Sequence, residues 1–199
     1  MIALAVSLAA LLAAQPGGRR PSNAVLRRAY QAARSSTVQV IGPKASGTGI
    51  IVGAAGEVLT SPQYVGLNDA KVLWDGGQVP AHVALADARL KVALVEISAP
   101  GTFPSVAVKL QDSLEVGSWV IGVVQPLGKH PSVVFGKVTR PSGGEAIFAE
   151  AELSLPPGTP VFDGQSRLIG LAVERSGKHA TRILPLSTIK AQLTAFLSP

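Results

Sequence analysis

The chain has 199 residues, enough for one or two domains with a sizeable core. It contains no cysteine, which excludes disulfides, cysteine metal sites, a cysteine nucleophile and a lipidated-cysteine anchor. The formal charge of +6 is uneven: Arg19, Arg20, Arg27, Arg28, Arg34 and Lys44 all precede the first acid, Glu57, while from residue 45 onward twelve basic residues balance twelve acidic ones. The globular body is therefore neutral, and the basic character belongs to the N-terminal segment. Such an arm can touch nucleic acid or anionic lipid, but the expected reading is solvated arginines on a linker and first helix. No nucleic-acid partner is expected.

Residues 1–15 form an apolar leader. Met1–Ala14 is short for a membrane span, which needs about 20 residues. It suits the core of a secretory signal peptide, with small residues near Ala13 or Ala14 as the cleavage point. This predicts export, to a periplasmic, extracellular or membrane-tethered location; an uncleaved anchor is the alternative. Residues 16–34 are a basic linker and helix. Ser22 is positioned to cap a helix from Asn23 to Arg34, with Val25, Leu26, Ala29, Tyr30 and Ala33 along one face.

From Ser36 the pattern turns to strands. They are predicted at Thr37–Ile41, Gly47–Val52, Glu57–Thr60, Lys71–Trp74, Gln78–Ala86, Val92–Ile97, Trp119–Val124, Ser132–Thr139, Glu145–Ala151, Leu168–Val173 and Thr181–Leu184. A closing amphipathic helix, Ser187–Leu197, has Ser187 as its cap and Ile189, Leu193, Phe196 and Leu197 inward. Many short strands at regular spacing, among 21 glycines and 15 prolines, indicate an all-β barrel or sandwich.

Several stretches, in order, resemble trypsin-like serine peptidases of the HtrA/Deg type. Ser46–Val52 with Gly56–Thr60 is similar to their first Gly-rich hairpin. Val83–Asp87 with Val92–Ile97, Asp112-Ser113 with Val116–Val120 and Gln125-Pro126-Leu127-Gly128, Gly136-Lys137-Val138, and Ile183–Leu186 match later segments. Pro160-Val161-Phe162-Asp163 and Gly170 fall in register with the hairpin after the nucleophile. The resemblance, over roughly residues 35–197, implies two six-stranded antiparallel β-barrels with a cleft between them, plus short N- and C-terminal helices. No residues remain for a C-terminal PDZ module, so residues 35–199 are expected to be a protease-type domain alone.

The resemblance also places three positions of the catalytic triad. Gln63, in Thr60-Ser61-Pro62-Gln63-Tyr64-Val65, stands at the histidine position, and an amide does not act as a general base near neutrality. Lys91, opening Lys-Val-Ala-Leu-Val, stands at the aspartate position, where a cation opposes an imidazolium; Asp87 matches an earlier, non-catalytic acid. Pro157 stands at the nucleophile, with neither hydroxyl nor backbone N–H. Losing the serine or histidine of such a triad costs on the order of 10⁶ in rate. Losing one oxyanion donor costs roughly 10²–10³.

The expectation is an inactive trypsin-like domain that binds a peptide or protein through a cleft containing Gln63, Lys91, Gly158 and Thr159. Lys91 and Gln63 would favour a peptide carboxylate, with strand-edge pairing supplying affinity. The alternatives are a serine endopeptidase with a rearranged site using Ser154, and a structural module at a membrane surface. Lys91 activating a hydroxyl would need a buried, deprotonated amine. His82, His130 and His179 show no metal-ligand spacing, so neither metal nor cofactor is implied. A homo-oligomer fits the family resemblance, although no segment locates its interface.

Overall fold

The computed structural model describes residues 19–110, 114–124, 131–143 and 146–197. The leader and its cleavage point, the Asp112-Ser113 and Gln125–Gly128 motifs and His130 lie outside the described residues. The first helix, α1, spans Asn23–Arg34, and the Ser22 hydroxyl caps it by accepting from the Val25 N–H.

Among the described residues, twelve strands follow. The first six are β1 (Thr37–Ile41), β2 (Ser46–Ile51), β3 (Glu57–Thr60), β4 (Asp69–Trp74), β5 (Gly77–Asp87) and β6 (Val92–Ile97). They close an antiparallel barrel in the order β1-β2-β3-β6-β5-β4. The other six are β7 (Trp119–Val124), β8 (Ser132–Arg140), β9 (Ala149–Ala151), β10 (Pro160–Phe162), β11 (Leu168–Arg175) and β12 (Thr181–Pro185). They close a second barrel, β10-β11-β12-β9-β8-β7. The expected all-β double barrel is the fold observed.

Period-two alternation divides the apolar residues among three cores. Ile51, Val58 and Val95 fill the first barrel with Val40, Val72 and Phe103. Val120, Val161, Ile169 and Ile183 fill the second with Val138 and Leu155. The neighbours of these residues on the same strands point the other way, into a seam: Ile50, Leu59 and Leu94 from the first barrel meet Ile121, Phe162, Leu168 and Leu184 from the second. Strands buried on both faces read as continuous apolar runs, as in Val92–Val95 and Leu168–Val173.

The segment between barrels reinforces the seam. Phe103 enters the first barrel beside Trp74, their ring centroids 5.3 Å apart. Farther on, Leu168 donates to the Ala107 carbonyl and Lys109 to that of Leu168, so the segment joins β11. Helix α1 packs against β7 and β8.

Two expectations are corrected. A turn of 3₁₀ helix at Leu186–Ile189 precedes α2, which spans Lys190–Leu197. Ser187 lies inside that turn and contributes its carbonyl, accepting from the Lys190 N–H, so it is not a side-chain cap. Pro185, extended at φ −66° and ψ 140°, ends β12 and starts the turn instead. Strand β9 is also shorter than expected: Gly143 and Ala146 pair with each other, and only Ala149–Ala151 join the barrel.

The seam sets the cost of disrupting the fold. Phe162→Ala, at a wholly buried seam position, is expected to lower unfolding stability by about 3–5 kcal/mol. Leu67→Ala, at a side chain 95% exposed, is expected to change it by less than about 0.5 kcal/mol. Urea unfolding midpoints of the two variants check the difference.

Candidate functional site

The site is assembled from three turns. At the end of β3, Thr60 is fully buried and its hydroxyl donates to the Thr48 carbonyl at 2.9 Å. The chain then enters a short 3₁₀ turn, Pro62–Tyr64, with proline at its start. Tyr64 is buried beside Gly47, where any Cβ would collide with its ring. Burial pushes the Tyr64 hydroxyl above the usual tyrosine range, opposed by a hydrogen bond from the Gln63 side chain. With its neighbour fixed in this way, Gln63 is left exposed at the surface between the barrels.

The second turn joins β5 to β6. The Asp87 carboxylate accepts from the Arg89 and Leu90 N–H groups, both at 2.8 Å. This local closure is what asparagine and aspartate favour in turns. It explains the acid at position 87 without any catalytic part. Lys91 follows at φ +56°, a left-handed conformation uncommon for a residue with a side chain.

The third turn lies between β9 and β10. Leu153 and Leu155 are buried, and Ser154 between them is exposed. Thr181, fully buried on β12, donates to the Leu153 carbonyl at 2.6 Å and accepts from the Leu155 N–H at 3.0 Å. Thr159 then donates to the Pro156 carbonyl at 3.3 Å, enclosing Pro157-Gly158 in a tight turn. Proline followed by a glycine at φ +76° is the signature of a type II turn. A Cβ at Gly158 would strike the Thr48 carbonyl, so glycine lets this turn press against the first barrel.

These turns bring Gln63, Lys91 and Pro157 to one groove of about 440 Å³, lined also by Ser61, Pro62, Val173, Glu174 and Arg175. Val173, Glu174 and Arg175 were not expected here. They are far from the other lining residues in the chain, and no local pattern marks them. Gly158 and Thr159, expected to line the cleft, are buried behind its surface, with Thr159 wholly enclosed. Ser154 is exposed but is not among the lining residues. His82 and His179 are exposed and also lie outside the groove. Among the described residues no cluster suited to a metal ion occurs.

Lys91 is not a free cation in the groove. Its Nζ pairs with Oε2 of Glu174 on β11, linking the two barrels. Arg182 binds the other Glu174 oxygen at 2.7 Å and reaches Glu150 at 3.4 Å. Glu150 in turn meets Arg140 at 3.1 Å and the Ser176 hydroxyl at 3.0 Å. Hydrogen bonds from Lys91 and then Arg182 hold the Glu174 carboxyl below the usual glutamate range, against the opposing effect of burial.

The chemistry of this arrangement is plain in its functional groups. The Gln63 amide takes up no proton near neutrality, and Pro157 offers neither hydroxyl nor N–H. An oxyanion hole in this class of site uses the N–H of the nucleophile and of the residue two before it. In the register that the sequence resemblance implies, those positions are Pro157 and Leu155, and the Leu155 N–H is already bound to Thr181.

Two closed six-stranded barrels, with residues from both meeting in a groove at the seam, define a trypsin-like double barrel. A sequence profile of the trypsin-like peptidase domain matches residues 47–171, and the chain belongs to that family. Relatives named "Probable periplasmic serine endoprotease DegP-like" include one from Ectopseudomonas mendocina, 31% identical over 135 residues. That match covers 63% of this chain and 28% of the relative. Another, from Brucella suis, is 31% identical over 140 residues, covering 65% of this chain and 27% of the relative. The matched region thus spans little more than a quarter of these relatives' length. The solved serine endoprotease from Yersinia pestis superposes with a TM-score of 0.73 at 16% identity, over 86% of this chain and 66% of its own.

The inter-barrel ion pairs make stability sensitive to acid. Because the Glu174 carboxyl is depressed in the folded chain, its contribution is complete above the ordinary glutamate range and lost as pH falls through the depressed value. Melting temperature is expected to fall on acidification below about pH 4.3, the ordinary glutamate value. Glu174→Gln should fall less steeply over the same interval. Parallel acid-range melts of the two proteins check this, and identical slopes would remove Glu174 from the account.

Proposed function

We propose that this chain is a trypsin-like domain without peptidase activity that binds an extended peptide in the groove between its barrels. The observation that carries the reading is the groove itself: Gln63, Lys91 and Pro157 meet there with Val173, Glu174 and Arg175 of β11. None of the three triad positions holds a nucleophile, a general base or an orienting carboxylate. The remaining oxyanion donor, Leu155, is committed to Thr181.

Binding has a structural basis in β11. Strand β10 pairs with β11 only from Leu168 to Leu171, and the Gly158 and Thr159 backbone extends that side to Ala172. Beyond Ala172, β11 pairs with β12 alone among the described residues, through Glu174 and Arg175. The other edge of Val173–Arg175 therefore borders the groove and can take an added strand. Gln63, Lys91 and Arg175 beside that edge favour a peptide with acidic side chains or a free carboxylate, which would share Lys91 with Glu174. Export belongs to the same reading, supported by the apolar leader and by the relatives' name, which calls them periplasmic.

Two measurements test it. The chain is expected to show no fluorophosphonate labelling and no casein hydrolysis above a blank. Labelling that disappears in Ser154→Ala would instead establish an endopeptidase built on the exposed serine. For binding, an acidic peptide from an unbiased library should lose roughly five-fold in affinity on Lys91→Ala, equivalent to about 1 kcal/mol for a solvent-accessible charge contact. Unchanged affinity by fluorescence anisotropy would sink the carboxylate preference.

A further inference from the structure

The N-terminal helix carries a charge pattern that neither core nor groove uses. Its inward face places Ala29 and Ala33 in the seam core, with Val25 and Leu26 packed against it. The opposite face exposes Arg27, Arg28, Gln31 and Arg34. At 1.5 Å rise per residue, Arg27 and Arg34 lie about 10 Å apart along the axis, within about one Debye length at 0.1 M salt. Arg19 and Arg20 continue the charge ahead of the helix, and no acidic residue precedes Glu57. None of these five arginines enters the ion pairs of the described residues.

The second barrel adds to the same region. Arg20 lies over the Phe135 ring, 5.0 Å from its centroid, and Lys137 over Trp119 at 5.1 Å. A concavity of about 520 Å³ is bounded by Arg19, Arg20, Ser22, Val25, Trp119 and Gly164, among others. In the turn before Trp119, Val116 is 50% exposed. The acids of the flanking turns are Glu115 and Asp163, and Arg167 already pairs with Asp163 at 2.7 Å.

We infer that this arginine face of α1, with Arg19, Arg20 and Lys137, docks the domain on a bilayer surface bearing anionic headgroups. Cationic charge beside half-buried aromatic and exposed apolar side chains is the composition that suits a headgroup interface. Chain connectivity points to the same partner. Four residues, 15–18, separate Ala14 from Arg19, and the five steps between them reach at most about 18 Å, so the cations stay close to the end of a lipid-seeking sequence. With the leader kept as an uncleaved anchor, a short apolar segment alone holds a membrane weakly, and the basic patch supplies the second signal beside it. Single-stranded nucleic acid fits less well, because Trp119 and Phe135 already contact Lys137, Arg20 and each other and leave little open ring for base stacking.

Vesicle co-sedimentation of the full chain provides the test, using phosphatidylcholine alone and phosphatidylcholine mixed with phosphatidylglycerol. The leader contributes to both, so the difference between them reports the arginine face. Partitioning is expected to favour the anionic vesicles and to lose that preference as salt shortens the screening length from about 10 Å to about 3 Å. Changing Arg27, Arg28 and Arg34 together to glutamine should reduce the preference on the order of 100-fold, at about five-fold per arginine. Changing the same three to lysine should retain it. If the triple glutamine variant misfolds, Arg28→Gln alone should show the five-fold loss. Equal partitioning on the two vesicles, or glutamine variants that bind like the parent, would overturn the inference. So would tight binding of an RNA oligonucleotide with no preference for phosphatidylglycerol.

Discussion

The constraint on which the structure depends is that single strands supply two cores at once. Ile50 and Ile51 are adjacent, yet one packs in the seam and the other inside the first barrel. Phe162 and Val161 divide in the same way in the second barrel, as do Leu184 and Ile183. A slip of one residue in any of these strands would exchange its contributions to the two cores, so register is fixed from both sides. Neither barrel buries its outward apolar face without the other, which makes the double barrel one cooperative body. The groove inherits its rigidity from this, because its residues stand on turns that emerge directly from seam strands.

The polar layer over the seam is arranged differently from the apolar one. The run Lys91, Glu174, Arg182, Glu150 and Arg140 alternates in sign and passes from the first barrel into the second. Exposed pairs of this kind contribute little singly, about 0–1 kcal/mol each. Their effect is on geometry: Lys91 is directed across the seam to β11, while Asp87 closes the turn that sets its backbone. On the other side of the groove, Thr181 fixes the carbonyl of Leu153 and the N–H of Leu155 from within. The groove is thus fixed by polar contacts on both sides and by apolar packing beneath.

Much of this was legible in the sequence, for physical reasons that differ by element. Thr37–Ile41, Glu57–Thr60, Val92–Ile97 and Trp119–Val124 are strands at the predicted bounds, because β-branched runs between turn residues leave little choice. Helix α1 was equally plain, having a serine cap and a clear apolar face. Ser187 misled because a serine before an apolar run looks like a cap, while Pro185 had already set the chain into a 3₁₀ turn. The convergence of Gln63, Lys91 and Pro157 was accessible only through resemblance, since they are scattered through the chain. The Lys91–Glu174 pair was not accessible at all: it spans 83 positions, and no periodicity connects a turn lysine with one strand glutamate among several acids.

The positions of Gln63, Lys91 and Pro157 are ones at which the fold tolerates exchange. Gln63, Lys91 and Pro157 belong to none of the three cores; each sits at a turn whose geometry is set by other residues. Tyr64 and Thr60 hold the first turn, Asp87 the second, and Thr181 with Gly158 the third. Exchanging the tip residue in such a turn changes the chemistry of the groove while the seam and both barrel interiors remain packed. Loops carry function and scaffolds carry stability, and here the two are separated almost residue by residue. Pro157 even suits its turn better than most residues would, since proline is favoured at the second position of a type II turn. The residue at the tip of the third turn therefore also stabilises the wall of the groove that it lines.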